Sequence, residues 1–126
     1  MGNSKDFLDY LDELMAGIPG LRKRAMFGGH GIYSDDRMFA LVADDTLYIK
    51  VDDNNRAAFE AEGSGPFVVE MKGKRGEMSY FNVPEAALED PEAMRSWCRL
   101  GIDAALRAAA KKKPREKTSG KPEKKR

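Results

Sequence analysis

Two aspartate doublets, Asp35-Asp36 and Asp44-Asp45, together with the pair Gly28-Gly29, cut the stretch 21–51 into short runs in which polar and apolar side chains alternate. Asp and Gly favour tight turns, and a period of two is the mark of a strand with one buried face. The spacing therefore predicts a meander, with strands at about 23–27, 31–34, 38–43 and 46–51. If Asp44-Asp45 is a two-residue loop, Val42 faces Leu47, Ala40 faces Ile49 and Met38 faces Val51, one wholly apolar face for helices to cover. The opposite face then carries Phe39, Leu41 and Tyr48 beside Thr46 and Lys50, too apolar to be left in water. Either a terminal helix or loop covers it, or a second subunit does.

Helical spacing brackets this meander. Asn3 is placed to cap a helix whose apolar positions are Phe7, Leu8, Leu11, Leu14, Met15 and Ile18, and Ile18-Pro19-Gly20 stops it. Asp53 opens a short helix through Phe59 to Glu62, ended by Gly63. A second hairpin follows, with strands at 66–71 and 77–83 joined across Lys72-Gly73-Lys74-Arg75-Gly76. Asp90-Pro91 is a cap followed by a first-turn proline, opening a helix that carries Met94, Trp97, Cys98, Gly101, Ala105 and Leu106. The order read from the pattern is helix, strands, helix, two strands, helix.

Composition limits what such a chain does. At 126 residues, 41% hydrophobic and 34% charged, it reads as one soluble domain. No apolar run approaches the ~20 residues of a membrane span, and Asp6, Asp9, Asp12 and Glu13 stand where a signal peptide is apolar, so a cytoplasmic protein that avoids membranes is expected. The single Cys98 and single His30 exclude an internal disulfide and leave a metal centre short of its usual ligands; no metal is expected. The net charge of +1 hides an asymmetry: residues 111–126 hold nine of the 22 Lys and Arg but two of the 21 Asp and Glu, which makes them +7 and residues 1–110 −6. Without aliphatic or aromatic side chains to bury, that basic tail is expected to be disordered, with the domain confined to 1–110.

The stretch RAMFGGHGIY, residues 24–33, sets the lone histidine among glycines. A phosphate loop needs its glycines directly before a helix N-terminus, and here Ile32-Tyr33 and another strand follow. The glycines read instead as a strand-to-strand corner that uses positive φ. Cys98 beside Trp97 on an apolar helix face reads as a small buried hydrophobe, and the paired aspartates fall at turns and helix starts, where they serve backbone geometry. No catalytic residue and no cofactor is expected.

The run Arg24–Tyr33, followed by Phe39-Ala40-Leu41-Val42, Leu47-Tyr48-Ile49-Lys50-Val51-Asp52, Asn55-Arg56 with Phe59, Pro66-Phe67, Met78-Ser79-Tyr80 and the closing Trp97, resembles the N-terminal domain of the TfoX/Sxy family over about residues 5–109. The resemblance implies an α+β fold of two layers, an antiparallel sheet of about five to six strands with helices on one face. It also implies a non-enzymatic regulator linked to natural competence, acting as a coactivator alongside the cyclic-AMP receptor protein. Longer members carry a second, C-terminal helical domain, in whose place the basic tail stands.

Two modes of action are expected of such a chain. The first is binding of a protein partner, a transcription factor among them, or of a second copy, through either the outer sheet face with Phe39, Leu41 and Tyr48 or the rim carrying Tyr33, Tyr48 and Tyr80. The second is sequence-independent contact with DNA or RNA phosphates by Lys72, Lys74 and Arg75 of the hairpin and by Lys111, Lys112, Lys113, Arg115 and Lys117 of the tail, with a Kd of roughly 10⁻⁴ to 10⁻⁶ M. The tail has no aromatic residue on which a base could stack.

Overall fold

Asp35, Asp36, Asp44 and Asp45 all hold positive φ, at 49°, 69°, 49° and 57°. Positive φ at both central residues is the type I′ turn, whose twist matches that of antiparallel strands, and aspartate tolerates it better than most side chains. In the computed structural model, which describes residues 3–26, 28–71 and 73–116, these turns join β2 (Gly29–Ser34) to β3 (Arg37–Ala43) and β3 to β4 (Thr46–Lys50). The remaining elements are α1 (Lys5–Leu14), β1 (Leu21–Met26), α2 (Arg56–Ala61), β5 (Pro66–Met71), β6 (Lys74–Asn82), a 3₁₀ turn at Glu85–Glu89 and α3 (Pro91–Glu116). The strands form one antiparallel sheet in the order β1-β2-β3-β4-β6-β5. This is the α+β fold of six strands and three helices that the sequence leads one to expect.

The turn fixes the register as read from the sequence: Val42 pairs with Leu47 and Ala40 with Ile49. Between β2 and β3 the ladder slips, with Ile32 opposite Ala40 but Tyr33 opposite Met38, so Phe39 is the extra residue of a β-bulge. The bulge corrects two expectations. Phe39 is fully buried among the helix-facing residues and is no part of the outer surface, while Met38 leaves the core side. Alternation fails there because one residue drops out of the ladder.

All three helices pack on the same side of the sheet. Leu11, Leu14 and Met15 of α1, Phe59 of α2, and Met94, Cys98 and Ala105 of α3 join Ile32, Phe39, Ala40, Val42, Leu47, Ile49 and Phe81 in one core. Phe59 lies edge-on to Phe81, ring centroids 6.3 Å apart, and tilted against Trp97 at 4.9 Å. Gly101 is where α3 meets the sheet: a Cβ there would sit 2.5 Å from Ile49 Cγ2 and 2.9 Å from the Phe39 carbonyl oxygen. Only glycine allows that approach.

A polar junction closes the layer below it. Asp52 accepts from the Asn54 and Asn55 backbone amides (3.0 and 3.3 Å) and takes a fork of two hydrogen bonds from Arg107 of α3, 2.7 and 2.9 Å. Asn55, 4% exposed, donates to the Lys50 and Leu100 carbonyls (3.2 and 3.0 Å) and accepts from the Asp52 amide (2.9 Å). The end of β4, the start of α2 and the middle of α3 are thereby pinned together. The Arg107 hydrogen bonds hold the Asp52 carboxyl below its ordinary value.

Element ends agree with the sequence at the start of α3 and depart elsewhere: α1 ends at Leu14, ahead of the Ile18-Pro19-Gly20 stop, and α2 begins at Arg56 with Asn55, not Asp53, at its N-cap. Asp90 caps α3, its carboxylate accepting from the Ala93 amide at 3.2 Å. The cap of α1 is Ser4, whose hydroxyl accepts from the Phe7 amide at 3.1 Å, because Asn3 is used elsewhere. The second hairpin turns through Gly73, at φ 80°, with Met71 opposite Lys74, so β6 begins at Lys74 rather than 77. Lys72 itself lies outside the described residues. α3 continues past Ala110 to Glu116, making the first part of the basic segment helical; residues 117–126 lie outside the described residues.

Two outcomes follow from the junctions at Gly101 and Asp52. Gly101→Ala should lower unfolding free energy in urea by about 1–3 kcal/mol, overpacking outweighing the gain in helix propensity. Because the folded-state pKa of Asp52 is depressed, the stability it adds is full above the unfolded value of about 3.9 and is lost as pH falls through the folded value. Thermal melts should therefore show Asp52→Asn less stable than the parent at neutral pH, with the gap closing below about pH 4.

Candidate interaction surface

The glycine-rich stretch is a corner. Gly28 takes φ 79° in the turn between β1 and β2, where Met26 stands opposite Gly29, and the chain then runs on as strand. A Cβ on Gly29 would press directly against the carbonyl oxygen of Val42. His30, in β2, accepts at Nδ1 from the Asn3 side-chain amide at 2.9 Å. The same Asn3 amide donates to the Val42 carbonyl at 3.0 Å, and its oxygen accepts from the Asp45 amide at 2.9 Å. The Asp45 carboxylate in turn accepts from the Ser4 amide at 2.7 Å. With the Asn3 amide oriented by two backbone partners, the imidazole carries its proton on Nε2. His30 thus braces the start of α1 against the β3–β4 turn.

The other nucleophile is equally occupied. Cys98 is completely buried in the core, and burial pushes its thiol up to about 12, so it stays protonated. Among the described residues, no three His, Cys, Asp or Glu side chains gather closely enough to hold a metal ion. A concavity of about 250 Å³ lies between α1 and the 3₁₀ turn, where Phe7, Leu47 and Leu88 meet Asp45 and Glu85. It takes in none of the residues expected from the sequence to bind a partner or a nucleic acid.

The helix-free face of the sheet holds the rest. Strand alternation sets Tyr33, Leu41, Tyr48 and Tyr80 on it, and no helix among the described residues packs against it, contrary to the expectation of a covering terminal helix. Leu41 and Tyr80 are each only 8% exposed, while Tyr33 and Tyr48 are half-buried. A Cβ at Gly31, opposite Leu41, would lie 3.2 Å from the sulfurs of both Met26 and Met38, so Met26, by alternation along β1, and Met38, by the bulge, line this face. Phe67 of β5, which the sequence reading did not single out, lies against Tyr48 with ring centroids 4.7 Å apart. Lys50 Nζ stands 5.3 Å over the Tyr80 ring. Burial, and then the nearby Tyr33 phenol, raise the Tyr80 hydroxyl above its ordinary value.

The expected phosphate contacts are scattered. Lys74 and Arg75 are exposed on β6, and Lys111 is exposed on α3. Lys112, Lys113 and Arg115 belong to α3 by backbone, their side chains lying outside the described residues, as does the whole of Lys117. No helix among the described residues is long and apolar enough to cross a membrane.

Comparison with known proteins adds a family. The family model described as the TfoX N-terminal domain matches residues 13–105. Among curated proteins, the chain is similar to the DNA transformation protein TfoX1 of Aliivibrio fischeri (strain ATCC 700601 / ES114), 36% identical over 74 residues. The match covers 59% of this chain and 35% of the relative, so it spans about a third of that protein's length.

The bracing role of His30 has a measurable consequence. His30→Ala removes one hydrogen bond and should cost about 1 kcal/mol or less in chemical denaturation, with Asn3 keeping its two backbone partners. Gly29→Ala should cost more, because a fixed backbone carbonyl has to give way.

Proposed function

The chain belongs to the TfoX N-terminal domain family, and from that premise we propose that it is a regulatory protein that works by binding, at the helix-free face of its sheet, and not by catalysis. The observation that carries this reading is the face itself. Tyr33, Tyr48 and Phe67 lie half-buried there around the buried Leu41 and Tyr80, with no helix over them among the described residues. Aromatic rings held partly in water on a sheet face suit an interaction site, since covering them adds the stabilisation of burial. The residues that would have to perform chemistry support the same reading: His30 is hydrogen-bonded to Asn3, Cys98 is a buried thiol, and Asp52 is paired with Arg107. The process regulated is taken from the relative, whose name is that of a DNA transformation protein, and we assign this chain to transcriptional control of the competence type.

The test is genetic. A chromosomal Tyr33→Ser/Tyr48→Ser variant should reproduce most of the transcriptional change caused by deleting the gene, while Leu106→Ser, at a residue 44% exposed on α3, should regulate normally. Circular dichroism of the purified double variant should match the parent. Normal regulation by a folded double variant overturns the reading.

A further inference from the structure

The helix-free face has an electrostatic character that the chain as a whole does not. Residues 1–110 carry a net charge of −6, from 13 Lys and Arg against 19 Asp and Glu. Yet at the strand positions of this face the charged residues among those described are all cationic. Arg22 lies on it, opposite Tyr33, and is ion-paired at 2.7 Å with Asp36 of the β2–β3 turn, while Arg24 lies on it, opposite Gly31, and Lys50 lies on it, opposite Tyr80. Glu70 and Glu77 pair with Arg75 and Val68 on the reverse side of the β5–β6 ribbon. Cations are therefore concentrated where the tyrosines are.

Resting on the reading that this face is the working surface, we infer that its ligand is a single-stranded nucleic acid, held by base stacking on Tyr33 and Tyr48 and by phosphate contacts to Arg24 and Lys50. Single strands are bound by this combination, a cationic track beside aromatic rings on an open sheet, because every base has a face to stack and every linkage a charge to neutralise. Phe67 backs the Tyr48 ring at 4.7 Å and limits its tilting. Lys50, 5.3 Å over Tyr80, already occupies that ring, which leaves Tyr33 and Tyr48 as the stacking platforms. Duplex DNA fits less well, since its bases offer no free faces and a six-stranded sheet is too broad for a groove. A second copy fits less well too: a two-fold contact would set Arg24 and Lys50 among like charges, and the carboxylate at the edge of this face, Asp36, is already paired with Arg22.

The experiment is a fluorescence-anisotropy titration of the full chain with labelled oligothymidylate and oligouridylate of about a dozen nucleotides, within the usual site sizes, and with a DNA duplex of the same length. Single strands should bind more tightly than duplex, and the ratio of the two single strands tells whether DNA or RNA is preferred. Tyr33→Ala and Tyr48→Ala should each weaken single-strand binding by roughly 5- to 150-fold, the range found for removing one stacking ring, whereas Tyr48→Phe should retain it. Lys50→Gln should make the salt dependence shallower by about 0.7 in log–log slope. Binding that is equal for duplex and single strand and indifferent to both tyrosines belongs to the basic tail and overturns the inference. So does a dimer in sedimentation that Tyr48→Ala dissociates, which makes the face a self-contact. Loss of gene regulation in the Tyr33→Ser/Tyr48→Ser variant without any single-strand binding by the parent also overturns it, while leaving the face as the working surface of a regulator that binds a protein.

Discussion

Two aspartate pairs held at positive φ set the geometry on which the rest of this molecule depends. Each pair closes a hairpin in two residues, and a two-residue turn admits one register. A slip of one position would move every side chain of β3 and β4 to the wrong face, emptying the core of Ala40, Val42, Leu47 and Ile49. The strain of left-handed backbone at four non-glycine residues is thus exchanged for a unique sheet. With the register fixed, α3 descends on Gly101 to touch the Phe39 carbonyl, a fit that exists only if Phe39 and Ile49 stand where the turns put them.

The polar residues that invite a catalytic reading act as fasteners between layers. Asn3 and His30 hold α1 to the β3–β4 turn, and Asp52, Asn55 and Arg107 hold α2 and α3 to the end of β4. The common cause is the backbone. The carbonyls of Val42, Lys50 and Leu100 lie where elements meet, and a carbonyl withdrawn from water needs a donor. Asparagine meets the need twice over, donating to a carbonyl and accepting from an amide with the same side chain.

A sheet covered on one side only divides the labour of its two faces. The helix side gives stability through burial, and on the other side Tyr33 and Tyr48 are fixed by their strands and half-buried. Rings so fixed have little freedom left to lose on binding, which suits them to the role we propose for this face.

Much of this was legible in the chain itself. Asp44-Asp45 announced both the turn and the Val42–Leu47 and Ala40–Ile49 pairs, and Asp90-Pro91 announced the start of α3, because turns and caps are set by residues close in sequence. Tyr48 on the outer face beside Leu41 followed from alternation by the same local logic, whereas the pairing of Tyr80 with Lys50 joins strands far apart in sequence. Tertiary structure alone decided the rest. Phe39 entered the core through a bulge that its hydrophobic neighbours disguise, since any register of Met38, Phe39 and Ala40 looks apolar. Asn3 and Ser4 are both good caps, and the choice fell to Ser4 because Val42 and Asp45, far along the chain, claimed Asn3. The partnership of Asp52 with Arg107 spans 55 positions and leaves no mark on local pattern. Local rules settle which residues turn, cap and alternate; which of two equivalent residues is used, and for what, is settled by what the fold brings beside them.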